Sequence, residues 1–435
     1  MFRDESKQTQ ITEATQMRLK TKKLLVFGIA FATATTVYSQ NSYDIKKALQ
    51  TARINNTQLK SEQLNTKMAD ADIVTAKLRP NLTLNNQSLQ STNSAYHAPN
   101  TSYIDGKNRQ IWWQLTKEFQ IAGQRRNKID LADKSKIVTD ANFQEFQRNL
   151  LTEVAMNWLD AWLSQKKWKA SMLAKSNWDT LVNINKNRFK NQVITATELS
   201  RTELIASQYN VTAQTAKMDY DNNLNSLRYL MGIDETIAVP ESDVIDWEEF
   251  TSLEQLLTQA IEQRSDIKVL KSAIEASKSN ISLQKSLAYP KPELGVIYNP
   301  QNSVPYAGIF ATIDLPFFDR NQGEIQKSKV MQSKTEQELA TTKARLKTEI
   351  ENAYLSYKQF QQNMLNLKNM REQSHTILDN VKYAYMRGGT TLIDVLEAQR
   401  MWYETQNNYY DAVFMHKEGY IKLLFTTGLI NQIAQ

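Results

Sequence analysis

The chain has 435 residues, with 53 Lys and Arg against 46 Asp and Glu and a formal net charge of +7. Both signs of charge run throughout, as on a solvated helical surface, and no basic stripe argues for nucleic acid. Cysteine is absent, which excludes disulfides, thiolate metal sites, a cysteine nucleophile and lipid attachment at an N-terminal Cys.

Residues 1–16 are polar and patternless. Met17 opens a basic run to Lys23, Leu24 to Val37 is apolar, and Val37-Tyr38-Ser39 supplies small residues. This is the pattern of a secretory signal cleaved after Ser39, so residues 1–39 are read as an upstream extension and a signal peptide. About 14 apolar residues are too few to span a bilayer comfortably. No later segment comes closer, and any membrane crossing must therefore be made by β-strands.

Residues 40–79 are read as a leading helix: Asp44 to Leu78 lacks Gly and Pro and stops at Arg79-Pro80. Residues 80–122 form a β-hairpin. Its first strand, 81–92, carries Leu82 and Leu84 among polar residues, and a polar loop covers 93–108. In the second strand, 109–121, Ile111, Trp113, Leu115, Phe119 and Ile121 face one way, while Gln114, Thr116, Glu118 and Gln120 face the other. Residues 123–233 hold long helices, with Trp158, Trp162, Trp168 and Trp178 at helical spacing as packing knobs. Residues 234–252 are an acidic connector, expected to pack with the chain termini as a small mixed layer around the middle of the helices.

The same order then returns. Residues 253–289 are a second leading helix ended by Tyr289-Pro290, and residues 290–318 a second hairpin. There Leu294, Val296 and Tyr298 alternate in one strand, and Ile309, Ala311, Ile313 and Leu315 in the other, around a turn at Asn299 to Pro305. Residues 319–428 are long helices, and residues 429–435 a tail. Within them Leu346, Ile350, Ala353, Tyr357, Phe360, Met364, Leu367, Arg371, Ser374, Leu378, Val381 and Tyr385 make a heptad stripe. No Gly or Pro interrupts the chain between Gly323 and Gly388, which predicts one helix of roughly 60 residues, on the order of 90 Å long. Gly388 and Gly389 make a tip turn, and Thr390 or Thr391 caps a helix with Asp394 and Glu397 on one face of its first turns.

An offset of 196 residues (348 − 152) maps Thr152, Glu153, Trp158 and Leu159 onto Thr348, Glu349, Tyr354 and Leu355. It also maps Phe189 onto Tyr385, Glu198 onto Asp394 and Gly232 onto Gly428. Two structural repeats follow. Four strands cannot close a barrel, and open edges are not tolerated in lipid. Three copies would give twelve strands and a tube of long helices, with Glu198, Asp394 and Glu397 ringing its far end as a cation-selective constriction. The apolar strand faces, Ile111, Trp113 and Leu115 with Ile309 and Ile313, would then meet lipid.

The element order, the proline exits and the turn GGTTLIDVLEA resemble the TolC-type outer-membrane efflux channels over essentially the whole mature chain. LPFFDRNQGEI (315–325) and EFQIAGQRRNKI (118–129) are similar to the heavy-metal efflux branch of that family. The resemblance implies a mainly α fold of long antiparallel coiled-coil helices with two β-hairpins per chain, assembled as a homotrimer with a 12-stranded barrel and a periplasmic helical tunnel. The implied partners are outer-membrane lipid, a periplasmic adaptor protein and an inner-membrane pump of the resistance-nodulation-division type; no cofactor or catalytic residue is implied. Asp394 and Glu397 match the acidic ring positions, Glu198 the repeat-one acid, and Tyr385 a gate aromatic. Thr390 stands where some members carry a gating Arg, and Arg387 is the nearby substitute. The competing expectations are a drug or type I secretion channel and a soluble periplasmic coiled-coil adaptor. An enzyme is disfavoured, because the sequence has no phosphate loop, no Ser-His-Asp set and no His or Cys cluster; His97, His375 and His416 lie far apart.

Overall fold

The structure, a computed structural model, describes residues 41–241, 252–300 and 304–433. The signal sequence, most of the connector, part of the second hairpin turn and the last two residues lie outside the described residues. Besides short 3₁₀ turns, the elements in chain order are β1 (Asn41–Ser42), α1 (Ile45–Asn55), α2 (Thr57–Lys77), β2 (Leu82–Gln90), β3 (Arg109–Glu118), α3 (Gln124–Lys190), α4 (Ala196–Met231), β4 (Ile237–Ala238), α5 (Leu253–Gln263), α6 (Ser265–Leu287), β5 (Glu293–Asn299), β6 (Tyr306–Thr312), α7 (Gln322–Met386), α8 (Leu392–Thr427) and α9 (Ile430–Ile433). The parallel pair β1–β4 forms a small unit of its own. Everything else belongs to the second, larger unit.

The expected long helices form. α3 has 67 residues and α7 has 65, so each runs about 100 Å. α4 and α8 stand at the same offset at both ends (392 − 196 and 427 − 231), the offset read from the sequence. α3 pairs with α4, α7 pairs with α8, and α8 also packs on α3, which joins the two repeats. Along α7 the heptad stripe is the buried line. Leu346, Ile350, Ala353 and Tyr357 are buried at one stretch and Ser374, Leu378 and Tyr385 at another, whereas Phe360, Met364, Leu367 and Arg371 between them are half-buried. The tryptophans are packing groups: Trp158, Trp162 and Trp178 are buried, and the ring of Trp168 stacks on Tyr220 with centroids 5.7 Å apart.

The leading helices correct the sequence expectation of one helix each, because both are broken, α1 from α2 at Asn56 and α5 from α6 at Arg264. Neither break contains Gly or Pro, so local propensity does not announce it. The cause is tertiary. Asn56 Nδ2 donates to the Leu230 carbonyl at 2.8 Å, and Arg264 Nη1 donates to the Thr426 carbonyl at 3.2 Å. Positions 230 and 426 are equivalent in the two repeats, so each break ties the last turn of a returning helix. A second buried guanidinium, Arg148, reaches the adjacent Phe425 carbonyl at 2.8 Å while held by both Glu145 oxygens. Unpaired carbonyls at a helix C-terminus carry the negative end of its dipole, which suits cations there. Gly232 and Gly428 end those helices in left-handed conformation, φ +66° and +79°. A Cβ on Gly232 would lie 2.6 Å from the Asn55 carbonyl oxygen, and one on Gly428 would lie 3.0 Å from the Arg264 nitrogen.

The two hairpins pair with each other, in the order β2-β3-β5-β6, all antiparallel. Directly paired residues share a face, so the register gives the row Leu84, Leu115, Val296, Ile309 and the row Asn86, Trp113, Tyr298, Ala307 on one side. That side is apolar but for Asn86, Ser88, Gln90, Arg109 and Lys117, and open: Trp113 is 44% and Ile309 88% exposed. Ile111, paired with Ser88, lies on the same face. The strands are shorter than expected, so Phe119, Ile121 and Ile313 fall beyond β3 and β6; Ile313 is exposed, but outside the ladder. Among the described residues, β2 and β6 are left as unpaired edges.

Gly232→Ala and Gly428→Ala should each destabilise the helical fold by about 3 kcal/mol, combining positive-φ strain with a backbone clash. Gly388→Ala has φ +76° but open space around its Cβ and should cost about 1 kcal/mol. Denaturant melts followed by helical circular dichroism measure the difference.

Candidate functional site at the helical tips

Both long hairpins turn by the same device. After α3 the chain passes Gln192 at φ +56°, and after α7 it passes Gly388 at φ +76°, the equivalent position. The glycine is the ordinary residue for this left-handed step, and repeat one makes it with a glutamine. A capping box follows in each. Thr195 Oγ1 accepts from Glu198 N at 3.2 Å, and Thr195 N donates to Glu198 Oε2 at 2.9 Å. Thr391 Oγ1 accepts from Asp394 N at 3.3 Å, and Thr391 N donates to Asp394 Oδ2 at 2.9 Å. Of the two candidate caps, Thr391 is the N-cap; Thr390 adds its own hydroxyl to Asp394 Oδ2 at 2.5 Å.

These contacts show what the predicted acids do within one chain. Glu198 and Asp394 are both capping carboxylates facing a helix N-terminus, where the dipole favours negative charge. The Thr390 hydroxyl, then the Thr391 hydroxyl and amide, pull the Asp394 carboxyl down to about 2. Glu397 does not join them: its Oε1 accepts from Arg400 Nη2 at 3.0 Å. The Arg387 guanidinium lies 4.3 Å from the centre of the Tyr383 ring on its own helix.

Tyr385 is buried between the repeats rather than displayed. Its hydroxyl donates to Asn185 Oδ1 at 2.9 Å, and Asn185 Nδ2 donates to Thr202 Oγ1 at 2.9 Å, so three helices share one polar line. Arg188 covers the Tyr385 ring at 4.5 Å and donates to its carbonyl at 3.1 Å. Burial raises the Tyr385 hydroxyl above the ordinary tyrosine value. Asn185, Thr202 and Arg188 were not singled out from sequence. The available signal was Asn185 itself, a polar residue on the buried stripe of Ser171, Ala174, Trp178 and Leu181. Beside this line Trp178 stacks on Tyr209 at 5.9 Å, and Tyr209 meets Tyr403 edge-on at 5.3 Å. Among the described residues no group of three His, Asp or Glu is placed to hold a metal ion.

Residues 256–420, within the second repeat, match the protein family described as Outer membrane efflux protein. No curated protein sequence matches the chain. Among solved structures, CusC, described for the conformational changes that accompany its folding and transmembrane channel formation, is 16% identical, with 89% of this chain and 93% of that one covered and a TM-score of 0.74. The Campylobacter jejuni CmeC outer membrane channel is 15% identical, with 88% and 85% covered and a TM-score of 0.73. The outer membrane protein VceC of Vibrio cholerae is 16% identical, with 88% and 96% covered and a TM-score of 0.71. The second repeat thus carries the sequence pattern of the outer membrane efflux proteins, and nearly the whole chain has the fold of their solved channels. That class consists of transport channels, not enzymes.

Since the Asp394 carboxyl is depressed, its cap is complete above the ordinary value of 3.8 and is lost as pH falls through about 2. Amide exchange at the first turn of α8, corrected for intrinsic rate, should therefore lose protection between those pH values, and Asp394→Ala should lose it at every pH.

Proposed function

We propose that three copies of this chain form an outer-membrane channel, a passive conduit through which a periplasmic adaptor and an inner-membrane pump discharge their cargo. The observation that carries this reading is the four-stranded sheet: one face apolar and open, two edges unpaired, on a chain whose described helices include none long and apolar enough to cross a membrane. In hydrocarbon every strand edge must be paired, so such a sheet needs further strands. Its alternation supplies the means. β2 and β6 run antiparallel to each other, so one copy's β6 can continue onto the next copy's β2, and three copies close at twelve strands. The long helices then stand together as a tunnel, and the tips carrying Glu198, Asp394 and Glu397 surround its periplasmic mouth.

Similarity of LPFFDRNQGEI and EFQIAGQRRNKI to the heavy-metal branch favours a divalent or monovalent metal cation pump as the driver. A conduit needs no metal ligands of its own, because selection resides in the pump. In cells lacking the channel, loss of resistance to metal salts but not to detergents and dyes supports that cargo; the reverse pattern assigns it to drug efflux.

The native chain has no cysteine, so cross-linking is clean. A panel pairing Gln87→Cys or Ser88→Cys on β2 with Ala307→Cys or Gly308→Cys on β6 should yield a three-chain product in the outer membrane. A soluble, uncross-linked monomer for every pair would overturn the trimer. Trp113→Arg should destabilise assembly by about 2 to 4 kcal/mol, seen as lost trimer on mild gels. At the mouth, Asp394→Asn with Glu397→Gln removes charge while leaving a capping side chain. The pair should lower cation preference in planar-bilayer recordings with the tip still protected from exchange, whereas unchanged preference would confine these acids to the cap.

A further inference from the structure

A cavity of about 160 Å³ lies between α3, α7 and α8, next to the Tyr385–Asn185 line. Its walls are mostly apolar, from Trp178, Leu181, Ile184 and Val395, and Tyr385 closes one side. Half-buried Asn177 and exposed Thr180 also line it, and two further polar groups present donors. Gln399 is 2% exposed, and its Nε2 has no hydrogen-bond partner. Lys382 is half-buried and is not ion-paired; the acid whose charge reaches it, Asp379, is engaged by His375 Nδ1 at 3.1 Å. Burial lowers the Lys382 amine below the ordinary lysine value, with Asp379 opposing in part. The structure shows no acceptor for the Gln399 N–H₂ and no ion pair for the Lys382 ammonium, so both can donate to an occupant.

Water can meet the polar groups of this space but leaves its apolar walls wet, so an occupant with an apolar body suits it better. A cavity of about 150 Å³ lined by apolar side chains takes up benzene, so the volume suits one six-membered ring or a short branched chain. The donors call for an anionic oxygen pair at one end of it, since a carboxylate accepts from both a cation and an amide.

We propose that this cavity is a binding site for a small amphipathic carboxylic acid of about benzoate size, its carboxylate held by Lys382 and Gln399 and its body packed between Trp178, Leu181, Ile184 and Val395. Because Tyr385 forms one wall, an occupied cavity braces α7 and α8 on α3 and holds the tip in the arrangement seen here. That consequence rests on the channel reading; the binding itself does not.

The test uses the full chain purified in detergent. Isothermal titration with benzoate should show saturable binding with a Kd on the order of 1 mM or below. Benzylamine, equal in size and opposite in charge, should give none. Lys382→Met should weaken benzoate binding about tenfold, and Val395→Phe, which fills the cavity and leaves the polar groups in place, should abolish it. Absence of saturable binding, equal binding of benzylamine, or binding indifferent to both variants would overturn the site. Planar-bilayer recordings of the same preparation separate the two inferences. Benzoate should lower the open fraction of the channel, and a conducting channel that ignores benzoate overturns the bracing. Protein that binds benzoate through Lys382 but never conducts would overturn the channel reading and leave the site standing.

Discussion

Long helices such as α3 on α4 and α7 on α8 can pack along an apolar stripe in several registers, because a slide by one heptad puts apolar groups back opposite apolar groups. What fixes one register here is polar and local to the two ends of the seam. At the tips, Tyr385, Asn185 and Thr202 satisfy one another only in a single alignment of α7, α3 and α4. At the other end of the returning helices, Asn56 and Arg264 hold the carbonyls of Leu230 and Thr426. A shift at either end would leave buried donors unpaired, at about 1 to 3 kcal/mol for each group. Dispersion and burial supply the bulk of the association, and these few bonds choose among its alternatives.

The same economy explains why the broken leading helices belong to the architecture. A continuous helix over 45–77 would offer neither the side chain of Asn56 nor the close approach of Asn55 to Gly232. In the second repeat a buried arginine replaces the asparagine, and its charge is matched by Asp266 at 2.6 Å and Glu349 at 2.9 Å. The Glu145 carboxylate that holds Arg148 also accepts from Ser265 at 2.6 Å, so the two buried guanidiniums are tied through one break. Truncating a partner of such a network is costly, because it leaves a buried charge uncompensated.

In the proposed channel the tip acids would serve two ends. Within a single chain Glu198 and Asp394 are structural, each completing a box that starts a helix. Capping needs a carboxylate at the third helical position, and a helix that begins at a tunnel mouth necessarily presents that carboxylate near the mouth. Capping and ring formation are therefore compatible. Glu397 is different, since it serves no cap and shares Arg400. In the proposed channel its field at the opening would be partly offset by that guanidinium, leaving Asp394 the larger unpaired charge of the two.

The sequence by itself determined the order of elements, the duplication and the long helices, since each is written locally: a heptad period, proline exits, glycine turns and a constant offset. It also determined the facing of the strands, because a period of two needs no partner to be read. It did not determine that the hairpins join through β3 and β5, that Asn56 and Arg264 break helices, or that Arg188 meets Tyr385. Those depend on which surfaces come together across roughly two hundred residues of chain. Hydrophobic periodicity reports that a face is buried but carries no address for what buries it. The partner of a polar side chain is decided only when the packed helices have set their register, and so the tertiary structure alone assigned the polar line at the tips.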